Sequence, residues 1–314
     1  MKAFVFPGQG SQFVGMGKDL AEAFPVARAV FEEVDDALGQ HLSKMMFEGP
    51  DTDLNLTENT QPALMAVSVA VARVLQEAKP DLLTTAHGKF VAGHSLGEYS
   101  ALTAAGAFNL SDAARLLKLR GQSMQKAVPV GVGAMAAILG LELPDVTEIV
   151  KAATGSTEIV SSANDNSYGQ VVVSGHKAAV EKAVALATEK GAKRAILLPV
   201  SAPFHCALMQ PAADAMQAAL ADTAINAPSL PLVANVIASE TTDPAQIRQL
   251  LVEQVTGMVR WRESVLYMKT QGVTETIELG AGKVLSGLTK RIDGDMTGRA
   301  VGTPKDIEDF AGAL

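Results

Sequence analysis

Five residues, Gly93-His94-Ser95-Leu96-Gly97, set a serine between two glycines in the order G-x-S-x-G. An apolar, strand-like run, Phe90-Val91-Ala92, precedes them, and a helix-like run from Glu98 to Ala105 follows. Strand, sharp turn and helix in that order describe a nucleophile elbow, with the hydroxyl exposed at the strand end. The flanking glycines let the backbone pass close to its neighbours. The Leu96 N–H, at the helix N-terminus, is then placed to donate to a developing oxyanion. The chemistry indicated is attack of a serine on an acyl group.

A serine hydroxyl is a weak nucleophile and needs a base. The chain has five histidines. His94 shares the tight turn with Ser95, so its ring is expected to point away from the serine's side. His41, His87 and His176 fall in polar segments and are expected at the surface. His205 lies in Pro199-Val200-Ser201-Ala202-Pro203-Phe204-His205-Cys206, a strand-end loop of the kind where α/β folds collect catalytic groups. It is the candidate base; a structural loop histidine is the alternative. A hydrolase triad also needs an acid to orient the imidazole. Between Ser95 and His205, Asp165 is the only loop candidate, and it falls in a segment that reads as an insertion. A dyad, with His205 held by a carbonyl, fits better.

Arg120 is a misplaced cation. At about 100° per residue, Leu116, Ala127, Ala113, Met124 and Leu117 share one helix face. Arg120 falls near the middle of it, whereas Arg115 and Lys118 fall on the opposite, polar face. A guanidinium among apolar neighbours stays charged and must be paired. Two readings remain open: a salt bridge to a buried carboxylate, or a bidentate clamp for a substrate carboxylate. Beside an acyl-transfer serine, the clamp would select a dicarboxylic acyl group. The loop Gly8-Gln9-Gly10-Ser11-Gln12 lacks the P-loop lysine and the third spaced glycine of a dinucleotide fingerprint. It is either a tight turn or the source of a second oxyanion donor, the Gln9 N–H. Gly280-Ala281-Gly282-Lys283 reads as a strand-to-helix turn.

The elements that would position these groups alternate. Residues 3–6, 90–92, 232–236 and 276–279 read as strands. Residues 61–78 read as a buried helix, and Ser111-Asp112 as the cap of a helix running to about Lys126. Such alternation argues for a parallel α/β sheet. The middle of the chain has another rhythm: strand 134–139, helix 144–153, strands 158–163 and 170–174, helix 177–190, strand 195–200. This β-α-β-β-α-β order is ferredoxin-like. The expected architecture is an α/β-hydrolase-like core with a parallel sheet, residues 1–127 and 201–314, interrupted by a ferredoxin-like subdomain at 128–200.

Composition narrows the classes. The 314 residues are 48% hydrophobic and 19% charged, ordinary for a globular enzyme. A net charge of −8 argues against a nucleic-acid partner. One cysteine, Cys206, excludes an internal disulfide or a Cys-rich metal site. It reads as a small buried filler. The apolar start, Met1 to Pro7, is too short for a signal-peptide core, and no segment reaches the ~18 apolar residues of a membrane helix. A cytoplasmic protein with no membrane partner and no metal is the expectation.

The chain resembles malonyl-CoA:acyl carrier protein transacylases. The matching stretches include FPGQGSQ (6–12), TQPAL (60–64), GHSLGEYSAL (93–102), GAMAAILGL (133–141), GQVVVSGH (169–176), GAKRA (191–195), LPVSAPFHCALM (198–209) and GKVLSGLTKRI (282–292). They run in order along nearly the whole chain. The resemblance implies that Ser95 becomes the acyl-serine and His205 is its base. It implies that the Gln254 backbone carbonyl orients His205, and that Gln9 and Leu96 supply the oxyanion N–H groups. Arg120 would bind the malonyl carboxylate. Gln61, Asn164 and His94 would line the substrate pocket, and Phe204 would crowd an α-methyl branch. No cofactor is implied; the substrates carry coenzyme A and 4'-phosphopantetheine. The implied partners are malonyl-CoA and an acidic acyl carrier protein. Because this chain is acidic too, docking needs a local basic patch, for which Lys190, Lys193 and Arg194 are candidates. The rivals are a serine thioesterase or esterase on the same elbow, an acyltransferase supplying polyketide synthesis, and a binding module that kept the fold.

Overall fold

Alternation along the first strand explains the main sheet. In β1 (Lys2–Phe6), Phe4 and Phe6 enter one apolar cluster, and Ala3 and Val5 enter another on the opposite face. Successive strand residues point to opposite faces, so a strand buried on both sides is apolar throughout. The computed structural model describes residues 1–200 and 202–313. Ser201, at the boundary expected between the two units, lies outside them.

Six strands form the main sheet: β1, β2 (Phe90–Gly93), β7 (Leu232–Ala234), β8 (Ser239–Thr241), β9 (Glu275–Leu279) and β10 (Thr297–Val301). Their order is β10-β9-β1-β2-β7-β8. All pairs are parallel except β7 with β8. The β1–β2 register pairs Ala3 with Phe90 and Phe6 with Gly93. One face carries the larger cluster, built on helix Thr57–Ala78, whose middle is buried all round. The other face packs Trp261, Val265 and Met268 of helix Trp261–Thr270.

Four strands, β3 (Gly133–Leu139), β4 (Val160–Ser167), β5 (Gln170–His176) and β6 (Arg194–Leu197), form a separate antiparallel sheet in the order β4-β5-β3-β6. With helices Leu143–Ala153 and Lys177–Glu189 this is the ferredoxin-like arrangement. Ala136 and Ile138 pack under those helices, while Met135 and Val172 join the main cluster. The alternation of β3 thus gives the small sheet one face for its own core and one for the rest of the molecule. The α/β class and the hydrolase-like core with a second sheet are as the sequence indicates. Two details differ. Asn109, not Ser111-Asp112, caps helix Leu110–Lys126, its side chain accepting from the Asp112 N–H. The last small-sheet strand is Arg194–Leu197, shorter than residues 195–200: Leu198 still donates in register to the Met135 carbonyl, but the Val200 N–H then turns back onto the Leu198 carbonyl. Among the described residues no helix is long and apolar enough to cross a membrane.

Candidate active site

The elbow is built by close backbone approach. A Cβ on Gly93 would come within 1.9 Å of the Gly97 backbone, and one on Gly97 within 2.2 Å of the Phe6 carbonyl oxygen. Only glycine lets β2 turn into helix Gly97–Ala104 against β1. The turn places Ser95 at φ 56°, in the left-handed region that side chains resist. Asn235, just past β7 and fully buried, straps it there: its Oδ1 accepts from the Ser95 N–H at 2.8 Å, and its Nδ2 donates to the Gly93 carbonyl at 2.7 Å.

His205 also stands at positive φ, 57°. Ser95 Oγ lies 2.8 Å from its Nε2. Its Nδ1 faces the Gln254 carbonyl at 2.9 Å and the Gly257 carbonyl at 3.2 Å. Two carbonyls can only accept, so Nδ1 carries the proton and Nε2 is left to accept from the serine. Burial, and then the Arg120 charge, push the His205 pKa down to about 3. The imidazole is therefore neutral at working pH, with Nε2 free to accept a proton. No carboxylate orients it among the described residues. Asp165 lies in β4 rather than a loop, and the guanidinium of Arg262 grips both its carboxylate oxygens, at 3.1 and 2.9 Å.

Arg120 is 1% exposed. Its Nη1 donates to Gln61 Oε1 at 2.8 Å. Its Nη2 donates to Gln254 Oε1 at 2.8 Å and to Ser95 Oγ at 3.2 Å, and its Nε has no partner among the described residues. The Tyr99 ring lies 5.8 Å from the guanidinium carbon. Every hydrogen-bond partner is neutral, so the buried charge is solvated by amides and a hydroxyl and paired with no carboxylate. A salt bridge, one of the two readings open from sequence, is not what holds it.

Gln254 is a hub. Its backbone carbonyl takes the His205 proton, its Oε1 takes the Arg120 bond, and its Nε2 donates to the Ser95 carbonyl at 3.0 Å and to Glu98 Oε2. Nothing in the sequence reading assigned its side chain a role, and the same holds for Asn235 and Glu98.

A cavity of about 310 Å³ opens over Ser95. Gln9, Leu96 and His205 border its reactive end, with Arg120 and Gln61 at its floor. Met135, Val172 and Phe204 give it an apolar side, and Asn164 and His94 also line it. His94 is thus turned from Ser95 but not from the cavity: its Nε2 meets Asn166 Oδ1 at 2.8 Å, and its ring lies 5.8 Å from that of Trp261. Burial lowers its pKa. Of the histidines expected at the surface, only His41 is exposed; His87 meets Asp81 at 3.2 Å, and His176 accepts from the Ile159 N–H. Cys206 is buried, and its thiol donates to the Pro203 carbonyl. Burial raises its pKa, which keeps it inert.

The candidate docking cations do not act as a trio. Lys190 sits between Asp145 at 3.1 Å and Glu148 at 2.6 Å, so its charge is spent inside the unit. Lys193 and Arg194 are exposed at the start of β6.

A serine on an elbow, bonded to a neutral histidine and sharing its cavity with a buried cation, defines an acyl-transfer enzyme. Residues 3–288 match the model of the acyl transferase domain. The chain is 50% identical over 308 residues to the malonyl CoA-acyl carrier protein transacylase of Escherichia coli O157:H7, covering 96% of each. An acyl-carrier-protein-S-malonyltransferase from Bartonella henselae superposes with a TM-score of 0.96 at 55% identity, covering 99% of this chain and 98% of that one. A malonyl-transacylase in complex with a holo type II PKS acyl-carrier protein superposes at 0.95 with 45% identity, covering 100% and 99%. The chain belongs to the malonyl CoA-acyl carrier protein transacylase family.

Proposed function

We propose that this chain moves a malonyl group from malonyl-CoA to the 4'-phosphopantetheine thiol of an acyl carrier protein, through an ester on Ser95, and so supplies fatty acid synthesis. The observation that carries this reading is the Arg120 guanidinium, fully buried, 3.2 Å from the nucleophile and lacking a carboxylate partner. An acyl group ending in a carboxylate completes it.

His205 Nε2 takes the Ser95 proton as Oγ attacks the thioester carbonyl, while the Gln254 and Gly257 carbonyls hold the imidazolium in place. The Gln9 and Leu96 amides receive the oxyanion. The tetrahedral species collapses, the C–S bond breaks, and His205 returns its proton to the CoA sulfur. The carrier thiol then gives its proton to His205 and attacks the ester; on collapse the ester C–O bond breaks and His205 returns that proton to Ser95 Oγ. Arg120 holds the malonyl carboxylate through both halves. Nothing beyond the two thiol carriers is required, so no cofactor enters. The acidic carrier docks near Lys193 and Arg194, and the cytoplasm is the compartment.

Intact mass after mixing with malonyl-CoA tests the reading. A malonyl adduct is expected on the unaltered protein, discharged by carrier thiol, and none on Ser95→Ala. No adduct, or discharge to water alone, would overturn it.

A further inference from the structure

Glu98 is a carboxyl with no obvious work. It follows the elbow by one turn, is 1% exposed, and has one oxygen, Oε1, without a hydrogen-bond partner among the described residues. Its other oxygen accepts from Gln254 Nε2. The same amide presents Oε1 to Arg120 Nη2 at 2.8 Å. One amide therefore joins a buried acid to a buried cation, and the cation is the group facing the acyl cavity. Asn235, which straps the elbow, meets the same amide, its Oδ1 3.4 Å from Gln254 Nε2.

We propose that Glu98 is a pH-dependent counter-charge of Arg120: on the alkaline side of its titration it is ionised in the empty site and balances the guanidinium through Gln254, and there it takes up one proton from solvent when the acyl carboxylate arrives. This rests on the reading of Arg120 as the carboxylate clamp. A sealed site holding one cation tolerates one anion well, and a second only at a desolvation cost. With Glu98 ionised, the incoming carboxylate is that second anion. Protonating Glu98 restores the balance, and its proton comes from bulk water: one proton and one acyl carboxylate enter together, and no bond other than the Glu98 O–H is formed. Glu98 touches no substrate; it acts through Gln254 as a positioning residue.

Burial raises the Glu98 pKa to about 8, against the pull of Gln254, Asn235 and Arg120. Binding a carboxylate beside Arg120 raises it further. The sign follows: below pH 8 Glu98 is already protonated and the anion enters freely, whereas above pH 8 entry requires proton uptake, so affinity falls as pH rises. The neighbouring groups hold their charge across that window. Arg120, from helix Leu110–Lys126, stays cationic. Tyr99, on the same helix as Glu98, has its pKa raised by burial and stays neutral. His205 and His94, across the cavity, have theirs lowered and stay neutral. From helix Pro244–Thr256 and the turn after β7 come the neutral Gln254 and Asn235.

Calorimetry on the Ser95→Ala protein, which binds without reacting, tests this in buffers of different ionisation enthalpy. At pH 8.5 malonyl-CoA should bind with uptake of more than half a proton. Acetyl-CoA, with the same phosphates and no free carboxylate, should take up none. From pH 8 to pH 9.5 the malonyl-CoA Kd should rise by up to about tenfold per pH unit, and the acetyl-CoA Kd should not. Adding Glu98→Gln should abolish both the uptake and the slope. Uptake that survives Glu98→Gln, or a parent protein that takes up no proton, overturns the inference. The parent measurements stand alone if that variant does not fold. A separate arm with Arg120→Ala isolates the clamp: if malonyl-CoA keeps its advantage over acetyl-CoA without Arg120, the clamp itself is wrong, whereas an advantage lost with Arg120 but no proton uptake by the parent sinks only the Glu98 role.

Discussion

The two sheets contribute different mixes of surface to one cavity. The main sheet and its helices supply the floor: Ser95, Arg120 and, behind them, Gln254, Asn235 and Glu98, nearly all polar and tied to one another by hydrogen bonds. The small sheet supplies an apolar wall from Met135, Ala137 and Val172, extended by Phe204 from the loop that follows it, with Asn164, Asn166 and Gln170 as a polar margin. The difference teaches how labour is divided. Hydrogen bonds fix direction, so the floor sets where charge can develop. Packing fixes volume, so the wall sets which acyl group fits.

If that division holds, substitutions on the two sides should fail differently. The largest effect belongs to the floor. His205→Ala should lower the acylation rate by about 10²–10⁴-fold with little change in malonyl-CoA binding, as single-turnover kinetics would show; equal losses in rate and affinity would blur the contrast. Phe204 sits next to the base but lines the cavity with its ring. Phe204→Ala should change the preference for malonyl over methylmalonyl groups by about 10-fold to 200-fold, the range a hydrophobic pocket can impose. Competition between the two thioesters measures it, and an unchanged ratio would remove Phe204 from the wall. The smallest effect lies on the outer edge of the small sheet. Reversing the charge of Lys193 and Arg194 should raise KM for the carrier by a few-fold, less at high salt, and spare KM for malonyl-CoA. Equal effects on both substrates would disconnect that edge from docking.

The parts of this arrangement visible in the sequence are those whose signal is local. The elbow announces itself in five consecutive residues, and Arg120 by its place on a helix face. The β-α-β-β-α-β rhythm likewise needs only neighbouring segments. What escaped depends on contacts across the chain. Asn235 meets Ser95 from 140 positions away, and Gln254 meets Glu98 from 156. An asparagine after a short strand has no periodicity to betray it. Glu98 looked like an ordinary acidic residue in a first helical turn, where the helix dipole favours carboxylates; only tertiary burial makes it unusual. Asp165 misled in the converse way. In sequence it reads as a loop residue, but it lies within β4, which is bulged there, and its neighbours Asn164 and Asn166 line the cavity from within the strand.

Ser95 and His205 both hold left-handed backbone angles, 56° and 57°, that a side chain adopts at a cost of about 1–3 kcal/mol each. Glycine would rest there without strain. The two positions to which the proposed reaction assigns the chemistry are thus two of the three side chains held at positive φ among the described residues, the third being Ala238 at 50°. Glycine at either would relax the backbone and remove the side chain that the proposed reaction needs, so sturdiness and activity pull these two positions in opposite directions.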